Sequence, residues 1–323
     1  MVLVLSDAEI ESVLDLSSLV DTVGSALKKQ ASGAVERPER PHFRVGTDAN
    51  GAGAKGTAIA MPAYVHGEAY YVTKLVGVHD GNPERGLPTV HAQIALTDAE
   101  TGVPEAFMGG TTVTNARTGC LGALAVRRFA PEAATLGIVG AGAQARWQAR
   151  AIATVTSLSS VRIYSPSDSK RECAAELADE GLPTRAVETP RAAIEGADVV
   201  VTATTATEPV FPPDALDSSA LVVAVGAFTE DTQELDPAVF EAASAVFADV
   251  PSEAAGIGDA IAAGVDAEDF VSLGAALADG RTDAPPAGPI VVESVGSAVM
   301  DAAAGAAVYR RAREAGAGSE TPL

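Results

Sequence analysis

The sequence has 323 residues, longer than one hydrophobic core usually grows, so two domains are expected. Hydrophobic residues make up 47% of it, enough for sizeable cores, while 43 acidic against 22 Lys and Arg side chains leave a formal charge of -21. A field of that sign repels phosphate backbones and anionic lipid, and no run of about 18 apolar residues exists, so neither nucleic acid nor membrane is an expected partner.

Residues 6–33 read as a helical region, opened by the capping sequence Ser6-Asp7-Ala8-Glu9, with Ile10, Val13, Leu14, Leu19, Val20, Val23 and Leu27 at helical spacing. Pro38, Pro41 and the glycines at 51, 53 and 56 end that pattern. From Thr57 to Leu96 the text is strand-like, clearest over 69–76 and 90–96. Turns are expected at 98–102 and at Gly109-Gly110, and a helix over 114–129. The middle of the chain alternates short apolar runs (135–139, 161–164, 197–202, 221–225) with helical stretches at 144–155 and 169–180, the rhythm of a doubly wound parallel sheet. The tail from Val295 to Ala315 reads as an amphipathic helix with no strand to follow and loose last residues; it is expected to fold back on the N-terminal part. The fold class is therefore α/β: a Rossmann-type domain over 117–294 and a discontinuous α+β domain made of 1–116 and 295–323.

The start of the chain has neither the basic segment nor the cleavage site of a signal peptide, and Cys120 and Cys173 offer no disulfide or metal spacing, so a cytoplasmic location is expected. Lysine is confined to Lys28, Lys29, Lys55, Lys74 and Lys170. With the net charge, this fits a surface adapted to concentrated salt, where screening over about 3 Å at 1 M removes self-repulsion. In a chain so poor in cations, a basic residue inside an apolar run is not there for solubility.

Gly140-Ala141-Gly142-Ala143-Gln144-Ala145 fits the dinucleotide pattern G-x-G-x-x-A directly after a strand and at the start of a helix. Gly140 permits the tight turn, Gly142 lets the backbone approach a pyrophosphate, Ala145 keeps helix and sheet close, and the helix N-terminus offers N–H groups to phosphate. Where the second strand ends, an NAD site usually carries an acid for the ribose. Here stand Ser165, Ser167, Asp168, Lys170 and Arg171, so NADP(H) is favoured over NAD(H). On the other side of the chemistry, Lys74 lies within Tyr71-Val72-Thr73-Lys74-Leu75-Val76, Arg117 stands where a polar loop enters an apolar helix, and Arg40 is one of several arginines in 37–44. An ammonium in such a run is expected to meet an anion. The competing reading is a strand-edge lysine reaching water and two surface arginines.

These segments resemble the ornithine cyclodeaminase/mu-crystallin family nearly end to end. The matching stretches are Met61-Pro62-Ala63-Tyr64, Thr73-Lys74-Leu75-Val76, Gly81-Asn82-Pro83 with Gly86-Leu87-Pro88-Thr89, Thr114-x-x-Arg117-Thr118, Val139-Gly140-x-Gly142-x-Gln144-Ala145, Ala197-Asp198-Val199-Val200, and Gly226 followed by Glu234-Leu235-Asp236. The resemblance implies a homodimer built through the N-terminal domain, a bound NAD(P), and a small amino or imino acid substrate. It makes Arg40 and Lys74 ligands of the substrate carboxylate, with Arg37 or Arg44 as alternatives to Arg40. Lys74 and Arg117 are the expected catalytic pair, Arg117 lying between substrate and cofactor. Cofactor contacts are expected from Thr89, Arg117, Thr118, Gly140, Gly142, Ala143, Gln144, Ser165, Ser167, Lys170, Thr204, Gly226 and Val295.

One departure from the family pattern bears on the reaction. Ornithine cyclodeaminases, and the alanine dehydrogenases of this family, carry an aspartate two residues after the glycine at 226; this chain has Phe228 there, and Asp231 is out of register. Ile59 likewise replaces the glutamate that holds the distal amine in the cyclodeaminase. A phenyl ring accepts no proton. The branch without that aspartate includes mu-crystallin and reductases of cyclic ketimines such as pyrroline-2-carboxylate. Imine reduction is therefore expected, with Phe228 facing the substrate. The alternatives are ornithine cyclodeamination, alanine dehydrogenation, or non-catalytic binding of NADPH or a small ligand.

Overall fold

The computed structural model describes residues 1–79, 81–279 and 288–323. They separate into two compact units. The first comprises Met1–Asp15, Ser32–Arg117 and Ala298–Leu323, the second Leu16–Ala31 and Thr118–Ser297. Among the described residues no helix is long and apolar enough to cross a membrane.

The first unit is built on a mixed sheet of β1 (Val2–Leu5), β2 (Val35–Glu36), β3 (His42–Val45), β4 (Gly56–Val65), β5 (Tyr70–Val78), β6 (Val90–Asp98) and β7 (Pro104–Gly109), completed by a C-terminal strand, Ser319–Thr321. The order runs from that last strand through β1, β7, β6, β5 and β4 to β2, with β3 also on β4. The helix Ala298–Ala315 lies across β4, β5 and β6 and buries Met300, Asp301, Ala304 and Val308 there. Period-two alternation in β5 turns Val72 and Lys74 to the buried side. Ser6 and Glu9 form the expected capping box on the helix Asp7–Val13.

Two local expectations fail here. The tail does not end loose: Ser319–Thr321 pairs antiparallel with Val2–Val4 and covers the edge of β1. Three polar residues give no strand signal of their own, and the partner is more than three hundred residues away in the chain. Nor is Gly109-Gly110 a turn. Gly109 ends β7, and the helix Gly110–Phe129 begins at once; glycine stands at both positions for close packing, since a Cβ on Gly110 would strike Ala92 and one on Gly109 would strike Asp7.

The second unit holds β8 (Thr135–Val139), β9 (Ser160–Tyr164), β10 (Thr184–Ala186), β11 (Val199–Thr202), β12 (Leu221–Ala224), β13 (Ala245–Ala248), β14 (Val271–Ser272) and β15 (Ile290–Glu293). All pair in parallel, in the order β10-β9-β8-β11-β12-β15-β13-β14. The chain builds outward from β8 in one direction through β9 and β10, then returns to β11 on its other side. That reversal makes β8/β11 the topological switch point, where doubly wound folds hold their ligands. β11, β12 and β15 are wholly buried, as continuous apolar runs require.

The helix Leu16–Ala31 was expected with the first unit, yet it belongs to the second. Its apolar face buries Leu19, Val20, Val23 and Leu27, and glycines let it approach closely: a Cβ on Gly24 would meet Leu124, one on Gly274 the Leu27 carbonyl oxygen. Gly274→Val is therefore expected to cost about 1–3 kcal/mol through overpacking, read as a fall in Tm. An unchanged Tm would place that helix elsewhere.

Candidate active site

In the first unit the buried cations meet around one carboxylate. Lys74 Nζ lies 2.6 Å from Asp301 Oδ2, and Arg117 Nε donates to Asp301 Oδ1 at 3.1 Å. Lys74 also donates to Thr114 Oγ1 at 3.3 Å, and that hydroxyl donates to the Gly110 carbonyl at 2.6 Å. Thr114 and Arg117, three apart on one helix, share a face. Lys74 is 2%, Arg117 5% and Asp301 0% exposed, so the lysine does not reach water at a strand edge.

Burial is the main force on the Lys74 amine and outweighs the pull of Asp301, with Arg117 and Arg40 adding repulsion; its pKa drops to about 8. Burial alone would raise Asp301, but Lys74 and Arg117 together hold it below the usual carboxylate range. Two cations to one carboxylate leave a surplus positive charge in a desolvated place, which favours an arriving anion. The charge of Arg40 acts on Lys74, while Arg44 is exposed on β3.

In the second unit the glycine turn follows β8. Gly140 has φ +118°, a left-handed conformation for which glycine is suited, and a Cβ on it would strike the Ala203 carbonyl that follows β11. Gly142 caps the helix Ala143–Ile152 with no side-chain hydrogen bond and no acid in the first turn, and a Cβ on it would meet nothing within 4 Å. The orphan N–H groups and the open space beside Gly142 are what a pyrophosphate needs, so these residues fit a dinucleotide.

Thr204 and Gly226, which follow β11 and β12, are tied together: both N–H groups donate to Glu234, at 2.6 and 2.8 Å. Ser165, Ser167 and Ser169 form a hydroxyl cluster after β9, with Oγ–Oγ distances of 3.3 Å for 165–167 and 2.6 Å for 167–169. The cations beside them are engaged. Lys170 pairs with Glu188 at 2.9 Å and Arg171 with both Glu188 and Asp168. Thr118 is buried, its carbonyl accepting from Gln148, while Gln144 lies in the first turn of the helix after Gly142. The Val295 N–H donates to Asp249. Thr89 stands just before β6, its carbonyl accepting from the His79 N–H. Phe228 is 47% exposed in the loop after β12, its N–H donating to Thr232 Oγ1 at 3.0 Å.

Sequence reading quoted Thr114 in a matching motif without giving it a role, and did not see that Asp301 holds both cations. Of the four buried acids of the second unit, it quoted Glu234 in a matching motif without a role and missed Asp249, Asp259 and Glu293. Glu293 closes the apolar run Ile290-Val291-Val292, the context that singled out Lys74, but acids are too common in this chain to draw the eye. Among the described residues no group of His, Cys, Asp or Glu side chains has the arrangement of a metal site.

The model of the ornithine cyclodeaminase/mu-crystallin family matches residues 1–316. The chain belongs to this family. It is 35% identical over 314 residues to a Delta(1)-pyrroline-2-carboxylate/Delta(1)-piperideine-2-carboxylate reductase of Azospirillum brasilense, covering 95% of this chain and 94% of that protein. Among solved structures it resembles the Delta(1)-pyrroline-2-carboxylate reductase of Thermococcus litoralis in complex with NADH and L-proline, with TM-score 0.90, 28% identity, and 99% and 100% of the two chains covered. An archaeal alanine dehydrogenase dimer with bound NAD gives TM-score 0.89 at 28% identity, covering 100% of this chain and 99% of that one. Members of the family therefore share the α/β architecture seen here, with its Rossmann-type sheet and second domain.

Because a Cβ at 142 would meet no protein atom within 4 Å but would enter the space offered to phosphate, Gly142→Ala should cost no more than about 1 kcal/mol, through the poorer N-cap, and shift Tm only slightly. It should weaken NADH binding roughly tenfold or more, measured by fluorescence titration. Equal affinity in the two proteins would remove the glycine turn from the site.

Proposed function

We propose that this chain reduces a small cyclic ketimine carboxylate, such as pyrroline-2-carboxylate, with hydride from NAD(P)H. It is an NAD(P)-dependent oxidoreductase of its family, and the observation that carries the narrower reading is the buried Lys74–Asp301–Arg117 cluster with its surplus positive charge. Arg40 and Lys74 take the substrate carboxylate. Asp301 fixes the directions of Lys74 and Arg117, and Thr114 gives Lys74 a second anchor.

When bound, a nicotinamide dinucleotide would supply the hydride for the imine carbon. Gly140, Gly142, Ala143, Gln144, Thr118, Thr204, Gly226 and Val295 are the residues proposed to hold it, as are Thr89 and Arg117. The imine nitrogen needs a proton, and Lys74, whose amine sits near pKa 8, is a donor matched to neutral pH, directly or through one water. Phe228 offers the substrate no acid for a second amine, which favours an imine ring over ornithine. The archaeal alanine dehydrogenase relative keeps alanine dehydrogenation as the second reading.

The same relative is a dimer, and the sheet of the first unit exposes Phe43 and Leu75 on the face opposite Lys74, an apolar face suited to a second copy. A homodimer is therefore part of the proposal, as are a cytoplasmic setting and a surface suited to concentrated salt. On the cofactor, Lys170 is already held by Glu188, so its charge is partly spent before a 2′-phosphate arrives.

Purified protein with NADPH or NADH should consume pyrroline-2-carboxylate in high salt, followed at the nicotinamide absorbance. Release of ammonia from ornithine instead, with formation of proline, would show the Phe228 argument to be wrong. Freeing Lys170 by Glu188→Gln should raise the NADPH-to-NADH ratio of kcat/KM severalfold; no change would detach Lys170 from cofactor choice.

The lowered Lys74 pKa sets a pH signature. The charged amine is lost as pH rises through about 8, so kcat/KM for the imine should fall above that pH. Lys74→Arg keeps its charge and should lose the alkaline limb together with roughly 100-fold of kcat. Between about 8 and the ordinary lysine value the unfolded chain binds more protons than the folded one, so this group makes stability rise with pH in that window.

A further inference from the structure

The carboxyl ends of β12, β13 and β15 gather four acids inside the second unit. Glu293, the last residue of β15, stands in register between Ala224 and Ala248 and is 0% exposed. Asp249 follows β13, Glu234 lies in the segment after β12, and Asp259 is on the helix Gly258–Ala263. The charges of all three act on Glu293, and all three are themselves 0% exposed.

The four carboxyls are not equivalent. Glu234 accepts from the Thr202 hydroxyl at 2.9 Å and from the N–H groups of Thr204 and Gly226. Asp249 accepts from the N–H groups of Val295 at 3.1 Å and Gly296 at 2.9 Å and from the Ser294 hydroxyl at 3.0 Å. Asp259 accepts from the N–H groups of Glu234 and Leu235, each at 2.7 Å. Such donors stabilise an ionised carboxylate. Glu293 has none: neither oxygen has a hydrogen-bond partner, and among the described residues no cation pairs with it. The arrangement does not suit a metal ion either. An ionised Glu293 would be a buried negative charge beside three other acids, with no hydrogen bond or cation to compensate it.

We propose that Glu293 is a neutral acid carrying the proton of this four-carboxyl cluster, and that its proton keeps Glu234 and Asp249 seated on the backbone that follows β11, β12 and β15. It is a positioning residue, and the segments it steadies are those assigned above to the cofactor: Thr204, Gly226 and Val295. Glu234 is the one carboxylate bridging the first two, and the fit is tight, since a Cβ on Gly226 would strike both the Thr204 carbonyl and Glu234. When the proton leaves Glu293, its new charge repels Glu234, Asp249 and Asp259 together, and the movable parts are these loops. Burial, reinforced by the three neighbouring acids, pushes Glu293 well above the ordinary carboxyl range. Burial also lifts Glu234 to about 7 and Asp259 to about 6.

A folded-state pKa above the unfolded value means that the native chain keeps a proton the unfolded chain releases. Stability from Glu293 is full below the ordinary carboxyl value and is lost as pH rises from there toward its raised pKa. Lys74 acts in the opposite sense at alkaline pH, so the difference between wild type and Glu293→Gln isolates the effect. Glutamine copies the neutral acid in shape and cannot ionise.

The test is Tm against pH, from about 5 to about 9, for both proteins without ligand. We expect near coincidence at the acid end and a gap that widens with pH to on the order of 5 °C in favour of Glu293→Gln. In parallel, NADH affinity of wild type should fall about fivefold or more over the alkaline part of that range and that of Glu293→Gln less than twofold. This second arm rests on the proposed cofactor site, whereas the thermal arm does not; a widening Tm gap without NADH binding in either protein would sink the cofactor reading alone. Parallel Tm curves, or a gap closed by added K+ or Na+ at fixed pH, would overturn the proton assignment. Should the variant not fold, infrared titration of wild type decides: a carboxylic acid C=O band persisting at neutral pH and lost at alkaline pH is expected, and its absence at neutral pH refutes the proposal.

Discussion

The first unit depends on a single shared carboxylate. Asp301 is 0% exposed and sits where the opening turn of the last long helix crosses β5, with Lys74 on one oxygen and Arg117 on the other. Neither cation could be buried without it, and it could not be buried without them; removing one partner from such an arrangement typically costs about 3–5 kcal/mol. The three residues come from a strand, a helix and a second helix more than 180 residues further on. The ion cluster therefore fixes how these elements meet and orients the charges that receive an anion.

The second unit solves the opposite problem. Its sheet ends in a concentration of acids, two of which accept from backbone N–H groups of the loops after β11, β12 and β15. Carboxylates serve here as internal caps for loop backbone, a role that serine and threonine usually play at helix ends. In a chain with 43 acidic residues this internal use is masked by composition, since most acids face water.

Much of the doubly wound unit was legible in the text because a buried parallel strand is a continuous apolar run and a dinucleotide turn needs glycine at fixed steps. Val199–Thr202, Leu221–Ala224 and the turn at 140–142 announce themselves in that way. β13 and β15 were not read, although Ile290–Val292 is as apolar as β11; the acid that follows obscures it. The helix Leu16–Ala31 was read as a helix but assigned to the wrong unit, because amphipathicity reveals that a face is buried and not what buries it.

Sequence alone determined the fold class, the glycine turn, the family and the suspicion attached to Lys74, all of which depend on local pattern or on ordered motifs along the chain. The tertiary structure decided the rest: that Asp301 joins Lys74 and Arg117, that Lys170 is already paired with Glu188, and that Glu293 has no donor. The physical reason is the same in each case. A charge carries its meaning through what lies within a few ångströms of it, and in this chain those neighbours are mostly supplied by segments far removed in sequence.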